Sequence, residues 1–256
     1  MCQYNSRIYI CKINGSSIIG NQSTYNRQLE YFDLGLISYD KAWELQKETF
    51  EARRRDLIAD TIYLLEHPHT YTLGKVTDKV NLTGSDNYLK EKGISVYETD
   101  RGGDITYHGP GQVVGYPIIN LDLWHKDTHL YLRNLEEVII KTCADYGLEA
   151  YRIDRLTGVW IENRKIAAIG IKISRWITMH GFAVNVNTDL SLFNGIIPCG
   201  IRDKGITSLG KELGADIPVA EVKGKIIKHF TGLFGYEQYL EGDISRLLER
   251  NTIPLS

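Results

Sequence analysis

The sequence lacks any long apolar run. Stretches such as Val138-Ile139-Ile140 fall far short of the ~20 residues a spanning helix needs, so no membrane association is expected. It also lacks an excess of either charge: 30 Lys and Arg face 32 Asp and Glu, a formal charge of −2. That balance gives no support for broad nucleic-acid binding, which needs a net basic footprint. Cysteine is scarce, with four residues at positions 2, 11, 143 and 199 and no C-x-x-C spacing. No H-x-x-x-H helix or Cys/His cluster is present, so no metal and no cofactor are expected. Walker A and G-x-G-x-x-G patterns are missing. So is the G-x-S-x-G elbow of Ser-His-Asp hydrolases. Met1 to Ile10 holds one basic residue, Arg7, and no sustained apolar stretch, unlike a signal peptide. A cytoplasmic location with reduced thiols is the expectation.

What is there is an ordinary globular composition. Of 256 residues, 43% are hydrophobic and 24% charged, enough to bury a core without staples. Residues 1–28 read as an N-terminal extension, 29–240 as one catalytic domain and 241–256 as a C-terminal helix and tail. Leu29–Leu34 reads as a strand. Ser38 caps a helix to about Ala59, whose Tyr39, Trp43, Gln46, Phe50 and Leu57 share one face. Arg53, Arg54 and Arg55 fall on the charged face. Asp127 caps a second helix, in which Leu132, Leu135, Ile139, Cys143 and Tyr146 repeat at helical spacing before Gly147. Thr157–Ile161, Lys165–Ser174 and Ile177–Asn187 read as an antiparallel meander. Pro218 opens a helix to about Phe234, and Ile244–Glu249 a last one. Helices and strands mix without regular βαβ repeats. The fold class is α+β, a single domain with a mixed, largely antiparallel sheet and flanking helices.

Three segments are candidates for chemistry. The first is Arg101-Gly102-Gly103-Asp104-Ile105-Thr106-Tyr107-His108-Gly109-Pro110-Gly111-Gln112, where paired glycines let backbone approach a ligand. The second is Cys199, between Pro198 and Gly200 in a turn that can present its thiol to a cleft. Cys143 differs, because it lies on an apolar stripe and reads as core. The third is the meander, where Lys165, Ala167, Ile169 and Ile171 alternate onto one strand face and Lys172 points the other way. In the next strand Gly181 and Ala183 form a small-residue strip beside His180 and Phe182, which suits close passage of a ligand.

Taken together and in order, these segments resemble the octanoyltransferase family of lipoate biosynthesis, the lipoyl(octanoyl) transferases. The motifs are Arg101–Gln112, Lys165-Ile166-Ala167-Ala168-Ile169-Gly170, His180-Gly181-Phe182-Ala183 and Pro198-Cys199-Gly200-Ile201. The resemblance spans about residues 29–235. It implies a lipoate/biotin protein ligase-like fold. It implies transfer of an octanoyl (or lipoyl) group from octanoyl-acyl carrier protein to a lysine of a lipoyl domain. The acceptors would be 2-oxoacid dehydrogenase complexes or the glycine cleavage H protein. The acylated cysteine of the family falls on Cys199 and its lysine partner on Lys165. The acyl group would be held by Arg101–His108, Ala168–Gly170 and Gly181–Ala183, with Tyr107 and Phe182 lining an apolar groove.

A covalent relay suits acyl transfer between two macromolecules, since no ternary complex is needed. Backbone N–H groups at Gly102-Gly103 or Cys199-Gly200 are candidates for the oxyanion. Docking of an acidic carrier calls for a local basic patch, and Arg53-Arg54-Arg55 or Lys172 with Arg175 are candidates. Rival readings are an ATP-dependent lipoate- or biotin-type ligase, a thioesterase, and a binding protein without chemistry.

Overall fold

The structure, a computed structural model, describes residues 3–5, 8–13, 16–20, 27–197 and 204–243. Three short strands lead the chain: β1 (Gln3–Asn5), β2 (Ile8–Ile13) and β3 (Ser16–Gly20). They form an antiparallel sheet, with Tyr4 opposite Tyr9 and Cys11 opposite Ile18.

The main sheet has nine strands among the described residues. β4 (Gln28–Leu36) runs into helix α1 (Tyr39–Arg54), which returns the chain to a parallel neighbour, β5 (Asp60–Glu66). β9 (Gln112–Ile118) then pairs antiparallel with β5. Helix α3 (Thr128–Ala144) precedes the meander of β10 (Tyr151–Ile153), β11 (Leu156–Ile161), β12 (Arg164–Ser174) and β13 (Ile177–Asn185). β14 (Gly205–Ile206) lies parallel to the start of β12. Helices α4 (Leu209–Leu213) and α5 (Val219–Phe234) lead to β15 (Gln238–Glu241). The strand order is β10-β11-β12-β13-β9-β5-β4-β15, mixed and mostly antiparallel in its middle. Between β5 and β9 the chain forms a further, small three-stranded sheet. Its strands are β6 (Thr70–Leu73), β7 (Ser95–Glu98) and β8 (Thr106–His108), preceded by the short α2 (Asp86–Glu91).

Helices α3 and α5 cover one face of the main sheet. Leu135, Ile139, Cys143, Ile226 and Phe230 pack there against Val113, Ala167 and Val184. Helix α1 covers the other face with Ala42 and Leu45, against Tyr63, Val114 and Ala183. α3 forms where its cap and period place it: Asp127 Oδ1 accepts from His129 N and Leu130 N, and Gly147 takes φ +75 after the last turn. Cys143 is buried in the core, which pushes its thiol up to about 12.

Helix α1 ends at Arg54, earlier than its sequence suggests, because Asp56 turns into the left-handed region at φ +55. Leu57 is consequently 71% exposed, off the apolar face to which the spacing assigned it. Arg53 is corrected in the other direction. It is buried and donates to Asp60 at 2.8 Å and Asp56 at 2.6 Å. Arg27 joins the same network, donating to Asp60, Tyr236 and the Phe234 carbonyl. Gln28 already belongs to the sheet, opposite Gln238. The helix expected at Ile244–Glu249 lies outside the described residues. Among the described residues no helix is long and apolar enough to cross a membrane.

Candidate active site

Strand alternation builds the site. From Ala168 onward, even-numbered residues of β12 turn from the α3/α5 core towards the small sheet, and Ala168 and Gly170 face Ala183 and Gly181 across the ladder. A cavity of about 460 Å³ opens over this strip of small side chains, a size ordinary for small-molecule sites. Ala168, Ile169, Gly170, Gly181, Phe182 and Ala183 line it from the sheet. Arg101, Gly103, Asp104, Ile105, Thr106 and His108 line it from the glycine-rich segment.

Lys165 is placed differently from the simple alternation. Opposite β11, Val159 pairs with Ala167 and Trp160 with Lys165, so Ile166 is an extra residue. The bulge moves Lys165 off the face of Ala167 and onto the cavity wall, an aim that bulges commonly give a side chain. Its ammonium lies 4.7 Å from the centre of the Trp160 ring, and the residue is 8% exposed. Gly158, at φ +122, leaves the room: a Cβ there would lie 3.4 Å from Lys165 Cε and 2.6 Å from the Ala167 carbonyl. Cys199 lies outside the described residues.

The glycine-rich segment is partly a strand, β8, and this sorts its residues. Thr106 and His108 point to the cavity, while Tyr107 points away into a third core cluster with Tyr71 and Phe193. Tyr107 does not line the groove, and its hydroxyl pairs with His69 Nδ1 at 2.8 Å. Gly102 lies behind the wall. Its N–H donates to the Ile171 carbonyl at 2.9 Å and so is not open to an oxyanion. Arg101 Nη2 donates to the Thr72 carbonyl at 2.7 Å and to its hydroxyl at 2.9 Å, which pins the loop across Gly170. A Cβ on Gly170 would meet the Gly102 carbonyl at 2.8 Å.

His108 Nδ1 donates to Gln112 Oε1 at 2.8 Å, and Gln112 Nε2 donates to the Tyr107 carbonyl and to Asn185. Burial holds the His108 pKa well below its ordinary value, with His67 and Arg101 adding repulsion. At the far end His180 sits at φ +56, where the β13–β9 pairing has stopped, and its N–H donates to Gln46 Oε1. Its Nε2 meets Asp100 at 2.7 Å, and Asp100 also accepts from Lys172 at 2.5 Å. Burial lowers the His180 pKa, against the pull of Asp100. The hydrogen bond from His180 holds the Asp100 carboxyl well below its usual range.

Sequence reasoning missed several wall residues: Tyr39, Val76, Tyr116, Asn185, Phe193 and the Arg155-Leu156-Thr157 turn. Tyr39 could have been found, since it opens the apolar face of α1. Arg155 could not, because nothing in the sequence folds that hairpin over the cavity. The basic patches proposed for docking are largely paired: Arg53 inside the fold, Arg54 with Glu51, Lys172 with Asp100. Among the described residues no group of three or more His, Cys, Asp or Glu could hold a metal ion.

Comparison with known proteins agrees with this architecture. The family model of the lipoyl protein ligase A/B catalytic domain matches residues 38–231. An octanoyltransferase of Rubrobacter xylanophilus is 54% identical over 203 residues, covering 78% of this chain and 91% of that protein. One from Flavobacterium johnsoniae is 52% identical over 229 residues, covering 83% and 99%. Among solved structures, a putative lipoate protein ligase from T. acidophilum with bound lipoic acid aligns with a TM-score of 0.67 at 15% identity, covering 87% and 93%. A lipoate-protein ligase A bound with ATP aligns at 0.63 and 15%, covering 87% and 92%. At those identities the two structures establish the shared fold and nothing beyond it.

Proposed function

This chain belongs to the lipoyl protein ligase A/B catalytic domain family and transfers octanoyl groups in protein lipoylation, and from that premise we propose its donor, acceptor and catalytic residues. The donor is octanoyl-acyl carrier protein. The acceptor is a lysine of a lipoyl domain. A neighbouring archaeal ligase solved in a study with its E2 lipoyl domain supports that acceptor class. The acyl group passes through a thioester on Cys199, with Lys165 carrying the protons.

The observation that carries this reading is Lys165, a nearly buried lysine on the wall of an apolar cavity in a chain about half identical to octanoyltransferases. The Cys199 thiolate attacks the donor carbonyl, the new C–S bond forms, and the carrier's C–S bond breaks. The departing carrier thiolate takes a proton from the Lys165 ammonium. The acceptor amine then attacks the acyl-enzyme, and neutral Lys165 takes the proton released as the amide forms. Cys199 leaves as thiolate, and the cycle closes with no net proton change on the enzyme. Exchange between two thioesters is nearly thermoneutral, while amide formation drives the second half. The strip of Ala168, Gly170, Gly181 and Ala183 suits an unbranched chain lying against the sheet.

Purified protein with octanoyl-acyl carrier protein and a lipoyl domain should form the amide without nucleotide. A strict need for ATP and free octanoate would overturn the proposal in favour of a ligase. Release of octanoate to water with no amide would make the protein a thioesterase.

A further inference from the structure

A second cavity, about 780 Å³, adjoins the first and shares Lys165, Phe193 and Ile206 with it. Lys165 therefore stands where the two spaces meet. The acyl chain has its place in the first, and the chemistry above gives the second no occupant. Its described lining holds three cations, Lys165, Lys204 and Lys211, and no carboxylate, in a chain whose net charge is −2.

The three lysines are graded from inside to outside. Lys165 is nearly buried, Lys204 half-buried and Lys211 exposed on α4. Lys204 Nζ lies 5.8 Å from the centre of the same Trp160 ring that Lys165 covers, and it donates to Asn163 at 3.2 Å. Among the described residues neither Lys204 nor Lys211 has an ion-pair partner, whereas Arg54, Arg164 and Lys172 do. Such a wall repels an incoming lysine ammonium and attracts an anion. Thr83, Ser191 and Asn194 add hydrogen-bonding side chains, and Ile196 and Ile197 an apolar side.

The occupant must reach Lys165 with a thioester and carry an anionic group further out. We propose that this cavity holds the phosphopantetheine arm of the carrier-bound donor, with its phosphate between Lys204 and Lys211 and its amides beside Thr83, Ser191 and Asn194. This rests on the reading above that the donor is an acyl carrier protein.

The test compares octanoyl-4′-phosphopantetheine with octanoyl-pantetheine, which lacks the phosphate. The unmodified protein should favour the phosphorylated donor about tenfold or more in kcat/KM, the lower end of what a hydrogen bond to a charged group is worth. In the Lys204→Ala/Lys211→Ala double variant that ratio should fall to near one. The Lys204→Arg/Lys211→Arg variant should keep it, as should Lys228→Ala, which removes one exposed charge on α5. No preference in the unmodified protein, or one that survives the double alanine change or falls as far in Lys228→Ala, would overturn the site. A raised KM for the lipoyl domain with donor preference intact would assign the cavity to the acceptor and equally overturn it. No transfer at all from octanoyl-acyl carrier protein would instead refute the donor assignment itself, a separate result.

Discussion

Acidification should destabilise this protein before its carboxylates protonate, because histidines in and beside its site are buried neutral. Burial holds His67 at about 4, with its Nδ1 donating to the Ile37 carbonyl and its Nε2 accepting from Tyr116. Burial holds His108 well below its ordinary value and lowers His180 as well. Unfolding returns each to about 6.5. The unfolded chain thus binds more protons below that pH, and stability must fall as pH falls. This contribution is fully present above about pH 6.5 and is lost progressively towards each folded pKa. Moving from about pH 7.5 to about pH 5.5, His67 alone withdraws about 1.3 kcal/mol. His108 and His180 add in the same direction. Native proteins hold only about 5–15 kcal/mol in total, so the loss is large. Urea unfolding followed by tryptophan fluorescence should show a midpoint falling by at least about 0.4 M over that range, for an m value near 3 kcal/mol/M. His67→Gln should flatten the slope by about one proton, ~1.4 kcal/mol per pH unit. A midpoint unchanged across the range would show that these histidines titrate normally and would refute their burial as neutral groups.

Lys165→Arg keeps a cation near Trp160 but cannot release a proton at working pH, so transfer should slow well beyond ~10-fold, against an acid–base contribution of about 10²–10⁴. Near-parent rates from steady-state kinetics would leave Lys165 as a charge only. Gly170→Ala sets a methyl 2.8 Å from the Gly102 carbonyl, and Arg101, pinned to Thr72, blocks retreat of the loop. It should cost about 1–3 kcal/mol and lower Tm by about 2–4 °C per kcal/mol, with a raised donor KM; an unchanged melting curve would mean the loop does not press on β12. Cys143→Ala should lower stability by removing core volume and leave acylation intact, readable by calorimetry and intact mass together.

Local signals in the sequence were enough for α3, because a cap, a stripe and a terminal glycine all agree there. They were enough for the meander and for the small-residue strip, since alternation holds from Ala167 to Ser174. They failed where a distant partner decides. Arg53 reads as surface until Asp60, seven residues on, is folded beneath it. Lys165 changes face because one extra residue, Ile166, bulges against β11, which no period reveals. β8 hides among glycines because its partner, β6, is more than thirty residues away. The second cavity is built from the 3₁₀ turn Leu190–Gly195, β14 and α4, pieces too short to carry a pattern of their own.

The central claim is the covalent relay, and intact mass after incubation with octanoyl-acyl carrier protein tests it most directly. The protein should gain the mass of one octanoyl group, mapped by peptide analysis to Cys199, and addition of a lipoyl domain should discharge it. An adduct on Cys143, Cys11 or Cys2, or transfer that proceeds undiminished in Cys199→Ala, would contradict the account.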